Sequence, residues 1–152
     1  MSHVVDAKFH IRDLEEAERS AKELGGVLVR GQEHFTWYES WQNDWHDPAR
    51  AAVMQGRDPK LFGQCSHVIR LKDAQKGDYE VGLVRRPDGD GYDAVYDSWG
   101  PGQKLETAFG KDLSRLKEHY GANVAIKRLR REGYRVLSKQ RVDGALKVKV
   151  ER

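Results

Sequence analysis

The sequence predicts an α+β fold: a mostly antiparallel sheet with helices on one face, ferredoxin-like and extended by a central β-meander. Three observations predict it. The chain opens with an alternating strand and a capped helix, its middle holds apolar strands with turn-rich connections, and its end reads helix then hairpin.

In the opening stretch Val5, Ala7, Phe9 and Ile11 recur at period two, as on a half-buried strand. Asp13 is placed as an N-cap, with Glu16 three residues on as its box partner. Leu14, Ala17, Ala21 and Leu24 then keep helical spacing until Gly25-Gly26 stops the helix. Val27 to Arg30 and His34 to Tyr38 read as two strands around a Gly31-Gln32 turn, completing a β-α-β-β unit.

Residues 39–62 break the pattern with Pro48, Gly56 and Pro59, and 48–55 reads as a short helix. Strand character returns at 66–72, 79–85 and 92–99. The links Ala74–Asp78 and Pro87–Gly91 are short enough for an antiparallel meander. Gly100-Pro101-Gly102 ends it. Leu105, Ala108, Phe109, Leu113, Leu116 and Tyr120 mark a helical face, with Gly110 weakening the helix by roughly 1 kcal/mol relative to Ala. Gly121 reads as an interruption before a second helix, Ala122–Glu132, which Gly133 closes. The last strands flank Asp143-Gly144, a hairpin signal. With no repeat and no linker, the chain reads as one domain over 1–152, carrying a Trp-rich insertion at 39–62.

Composition narrows the function classes. A single cysteine among 152 residues excludes an intramolecular disulfide. No apolar run approaches the ~20 residues of a membrane span, and the start lacks a secretory pattern, so a cytoplasmic protein without membrane partners is expected. The net charge of +3 hides an asymmetry. Residues 111–152 hold 13 basic against 5 acidic side chains, and the rest of the chain is net acidic. Such a section suits phosphates, or the acidic portion of a second copy, and edge strands make a homodimer plausible.

Several short segments carry a resemblance. They are Met1-Ser2-His3, Gly63-Gln64-Cys65-Ser66-His67-Val68-Ile69, Tyr79-Glu80-Val81-Gly82, Tyr96-Asp97-Ser98-Trp99-Gly100, and the ending with Gly133-Tyr134 and Asp143-Gly144. Together they resemble the uncharacterised small proteins known in plastids as a hypothetical chloroplast reading frame, with relatives in cyanobacteria, other bacteria and phages. The likeness covers nearly the whole chain. It implies size and fold and brings no established activity.

Two constellations carry chemistry. The first is Trp41 and Trp45 in a polar segment with His46, Arg50 and Arg57, a setting for stacking or for a protein interface. Cys65 and His67 stand next to it at i and i+2, on one face if the strand is regular. A Cys/His couple suits a nucleophile with its base, or half of a zinc site. No second cysteine completes a zinc site, no orienting group is evident, and a buried thiol with a hydrogen-bonded histidine is the simpler account. The second constellation is the basic end, with Lys127, Arg128, Arg130, Arg131, Arg135 and Arg141 on the helix and hairpin. Gly100-Pro101-Gly102-Gln103-Lys104 matches neither the phosphate-loop nor the dinucleotide fingerprint, so no cofactor or metal is expected.

The reading is a non-enzymatic binding or accessory protein. It would hold a partner protein or a small anionic, nucleotide-like ligand through Trp41, Trp45, His46, Arg50, Arg57, Cys65 and His67. In a phage setting it would act as a sequestering factor. Nucleic-acid binding through the basic end is the first alternative, and a Cys65/His67 enzyme the second.

Overall fold

A computed structural model describes residues 4–38 and 63–152. The elements are β1 (Val4–Ile11), α1 (Leu14–Glu23), β2 (Gly26–Arg30), β3 (His67–Leu71), β4 (Val81–Arg85) and β5 (Tyr92–Asp97). They continue with α2 (Gly102–Phe109), a 3-10 turn (Lys111–Leu113), α3 (Ser114–Arg131), β6 (Arg135–Val142) and β7 (Ala145–Glu151). This is a mixed α+β fold. Five strands pair antiparallel in the order β1-β5-β4-β3-β2, and the sheet stays open, with β1 and β2 as its edges. Strands β6 and β7 form a separate two-stranded sheet.

The main core lies on the sheet face that carries the helices. Phe9, Ile11, Leu28, Ile69, Val81, Leu83 and Tyr96 meet Ala17 and Ala21 of α1, Phe109 of α2 and Leu116 of α3 there. The period-two residues of β1 all reach this core, although the strand is not regular. Its pairing with β5 slips between Asp6 and His10, where Lys8 adopts φ 53° and donates its N–H to Asp6 Oδ1 at 3.0 Å. The bulge leaves Ala7, Phe9 and Ile11 facing inward. Asp13 caps α1 as expected, accepting from Glu16 N at 3.1 Å. The return half of the capping box is replaced: Tyr120 Oη accepts the N–H groups of Arg12 and Asp13, each at 3.0 Å. Glu16 instead pairs with Arg19 at 3.2 Å.

Three expectations are corrected. His34–Tyr38 is not a strand of the sheet. His34 alone pairs, with Gln64, and the segment lies across the second sheet face. Second, helices confined to one face imply that the other is left polar or available for association, whereas here it is covered. Phe35 and Trp37 cover Val68 and Val95, and Phe35 sits over Gly82, where a Cβ would come within 2.3 Å of its ring. Third, Gly121 does not interrupt a helix. α3 runs through it, and the break falls at Gly110, with φ 86°, followed by Asp112 and Leu113 in left-handed conformations.

Candidate functional site

The second sheet face holds the root of the insertion. The chain leaves the described structure after Tyr38 and re-enters at Gly63. Phe35 N donates to Gly63 O at 2.9 Å and Cys65 N to Glu33 O at 2.8 Å, so the outgoing and returning segments are laced together. Two acids anchor this pair to the sheet. Glu80, 6% exposed, accepts from Thr36 N at 2.8 Å and from Gln32 Nε2 at 3.1 Å, while its own N–H donates to Thr36 O. Asp97, fully buried at the end of β5, accepts from Tyr38 N at 3.2 Å and from Trp99 N at 2.9 Å. Buried carboxylates are costly unless hydrogen bonds replace their water, and here backbone amides do so. The Tyr38 and Trp99 rings meet edge to face, 5.1 Å apart, with Trp99 more than a third exposed.

The Cys/His couple that the i, i+2 spacing allows does not form, and Cys65 and His67 each find other partners. Ser66 bends the chain before β3 begins, so the two-residue alternation fails. Cys65 packs against the second face beside Phe35 and Trp37, and its Sγ donates to Gln32 O at 3.2 Å. Burial, with Glu80 and Glu33 nearby, pushes the thiol up to about 12. His67 engages different partners. Its Nδ1 accepts from Gly31 N at 3.0 Å, which leaves the proton on Nε2 to be donated to Tyr92 Oη at 3.3 Å. Burial, with Arg30 adding to it, lowers the His67 pKa below its ordinary value. A protonated thiol and a neutral imidazole, each satisfied elsewhere, are not a nucleophile and its base. Among the described residues no three His, Cys, Asp or Glu side chains converge for a metal ion.

Trp41, Trp45, His46, Arg50 and Arg57 lie outside the described residues. Glu80 and Asp97 were absent from the sequence candidates. Their one signal is an acid beside apolar strand residues, in Tyr79-Glu80-Val81 and Tyr96-Asp97.

The basic end is largely neutralised within the chain. Lys127 lies 2.7 Å from Asp13, Arg128 is 3.3 Å from Glu132, Arg135 pairs with Glu151, Lys139 with Glu23, and Arg141 with Glu118. The Lys127 hydrogen bond holds the Asp13 carboxyl below the usual range. Burial alone would raise Glu23, but hydrogen bonds from Lys139, Asn123 and His119 outweigh it and hold that carboxyl low. Arg130, Arg131, Lys147 and Lys149 have no such partner among the described residues.

Comparison with protein-family models, with curated proteins and with solved structures finds no match. Among the described residues no helix is long and apolar enough to cross a membrane.

Proposed function

We propose that the protein is a non-enzymatic binding module that presents its Trp-rich insertion to a partner protein. One observation carries this reading: the two buried carboxylates, Glu80 and Asp97, accept backbone amides of Thr36, Tyr38 and Trp99 at the root of residues 39–62. Anchors of this kind fix where the chain leaves the sheet, and the Phe35–Gly63 and Cys65–Glu33 hydrogen bonds tie the returning chain to it, as a binding segment on a rigid support requires. The insertion supplies Trp41 and Trp45 as anchors, with His46, Arg50 and Arg57 as polar neighbours. Sequestration of a host factor in the cytoplasm, which a phage setting would suit, is one form of such capture.

A Trp41→Ala/Trp45→Ala double variant tests the reading, with native mass spectrometry of the protein purified from its host. The expected result is loss of the co-purifying species with the urea midpoint nearly unchanged. Retention of that species, or a collapse in stability, would show that the rings belong to packing.

The nucleic-acid reading rests on fewer charges than the sequence offered, because Lys127, Arg128, Arg135 and Arg141 already have acidic partners. The pairs Lys127–Asp13 and Lys139–Glu23 also join the acidic and basic portions within one chain, so charge asymmetry does not call for a second copy.

A further inference from the structure

A cleft of about 500 Å³ opens between α1, the C-terminal half of α3 and strand β6, away from the insertion root. Its volume lies within the range of small-molecule sites, roughly 300–1,000 Å³. One wall is apolar, made by Ile126 and Val136. The floor is a fixed polar network. Asn123, 3% exposed, donates to Ser20 Oγ at 2.9 Å and to Glu23 Oε1 at 2.8 Å, and its Oδ1 accepts from Lys139 Nζ at 2.9 Å.

The charges lining the cleft do not balance. Glu15 and Glu16 share Arg19, at 4.0 and 3.2 Å, and Glu23 is taken by Lys139. Lys127, also on the wall, is held by Asp13 from outside the lining. Arg130 and Arg131 are left over. Both line the cleft, and neither guanidinium group has an acidic or hydrogen-bonding partner among the described residues. Cations in a last helical turn compensate the helix dipole wherever they point. Arg128 of the same turn does so while paired with Glu132, so that role does not account for two unpaired guanidinium groups on one cavity.

We propose that this cleft binds a small phosphorylated ligand of nucleotide size. Its phosphate oxygens lie on the forks of Arg130 and Arg131, and its ring or aliphatic part lies against Ile126 and Val136. A guanidinium fork matches a phosphate edge with two parallel hydrogen bonds, and Arg130 and Arg131 offer two such forks. The apolar wall gives the remainder of the ligand a surface that a bare ion would not use.

Titration with sodium pyrophosphate, against sodium sulfate at equal ionic strength, tests the phosphate seat by NMR of the Arg side-chain Nε–H and Ile126 methyl signals. The expected result is saturable shifts at Arg130 and Arg131 with pyrophosphate while the Ile126 methyl signals stay in place, as for a ligand with no apolar part, and an apparent affinity weaker by at least about tenfold in an Arg130→Gln/Arg131→Gln variant. A Lys147→Gln/Lys149→Gln variant removes the same charge elsewhere and keeps the response. So does Trp41→Ala/Trp45→Ala, which separates this site from partner capture. Shifts that rise linearly without saturation, that sulfate reproduces, or that both charge-removal variants weaken equally would overturn the proposal.

Discussion

At the scale of single residues, Cys65 shows how position decides chemistry. The same thiol beside a cationic imidazole would ionise near neutrality, whereas here it donates to Gln32 O and has Glu80 and Glu33 as its electrostatic neighbours. A thiol pushed up to about 12 has a thiolate population at pH 8 lower by about three orders of magnitude than an ordinary cysteine. Iodoacetamide labelling of the native protein should therefore be slow at pH 8 and quicken steadily as pH rises, until the rate in urea matches free cysteine. Labelling as fast as the free thiol at pH 8 would contradict the burial. The sequence showed the Cys65–His67 spacing but not the bend at Ser66 that separates the two, because one non-strand residue undoes an i, i+2 rule. Glu80 and Asp97 were illegible for a different reason. A buried acid is recognised by the backbone amides it satisfies, and apart from Trp99 N, two residues from Asp97, those belong to a segment more than forty residues away in sequence.

Among the elements, those with a strong period were legible and the joints between them were not. Ala17, Ala21, Phe9 and Ile11 occupy the faces their spacing indicates, and Asp143-Gly144 turns β6 into β7 with φ of 52° and 78°, as a type I′ turn demands. The helical joints were misplaced because glycine is ambiguous in sequence. Gly110 sits at φ 86°, where a Cβ would lie 2.4 Å from Ser114 Oγ and 2.8 Å from Arg115 N. Gly121 is exposed inside α3, and a Cβ there would meet nothing within 4 Å. Alanine should act oppositely at the two sites. Gly121→Ala should stabilise by about 0.5–1 kcal/mol, from helix propensity alone. Gly110→Ala should destabilise by more than about 1 kcal/mol, from backbone conformation and crowding together. Urea unfolding of the two variants checks both signs, and a stabilising Gly110→Ala would mean that the chain does not turn there. A slip in register shapes the last hairpin as well. Pairing shifts between Val136 and Ser138, leaving Leu137 unpaired and 45% exposed, and Lys139 and Arg141 reach Glu23 and Glu118 of the helices. Alternating charges on these strands would line one side of the sheet in a regular hairpin, and the bulge breaks that alternation.

For the whole molecule, the consequence is a division between a buried body and a lightly attached arm. The five-stranded sheet has a core on each face, whereas β6 and β7 contribute no buried residue to either. A two-stranded hairpin is at best marginally stable by itself, so this one depends on its attachment. Its ion pairs to the body are Lys139 with Glu23 and Arg141 with Glu118, and the second is more than a third exposed on both sides, where such pairs contribute about 0–1 kcal/mol. The first is better shielded and shares Asn123 and His119. The arm should therefore open in a local event well below global unfolding. In native-state hydrogen exchange, amides of β6 and β7 should exchange roughly a hundredfold faster than those of β3 and β4. Glu23→Gln should widen that gap by loosening Lys139 and leave the β4 amides unchanged. Equal protection in hairpin and sheet, falling together in the variant, would mean that the arm is instead part of the cooperative core.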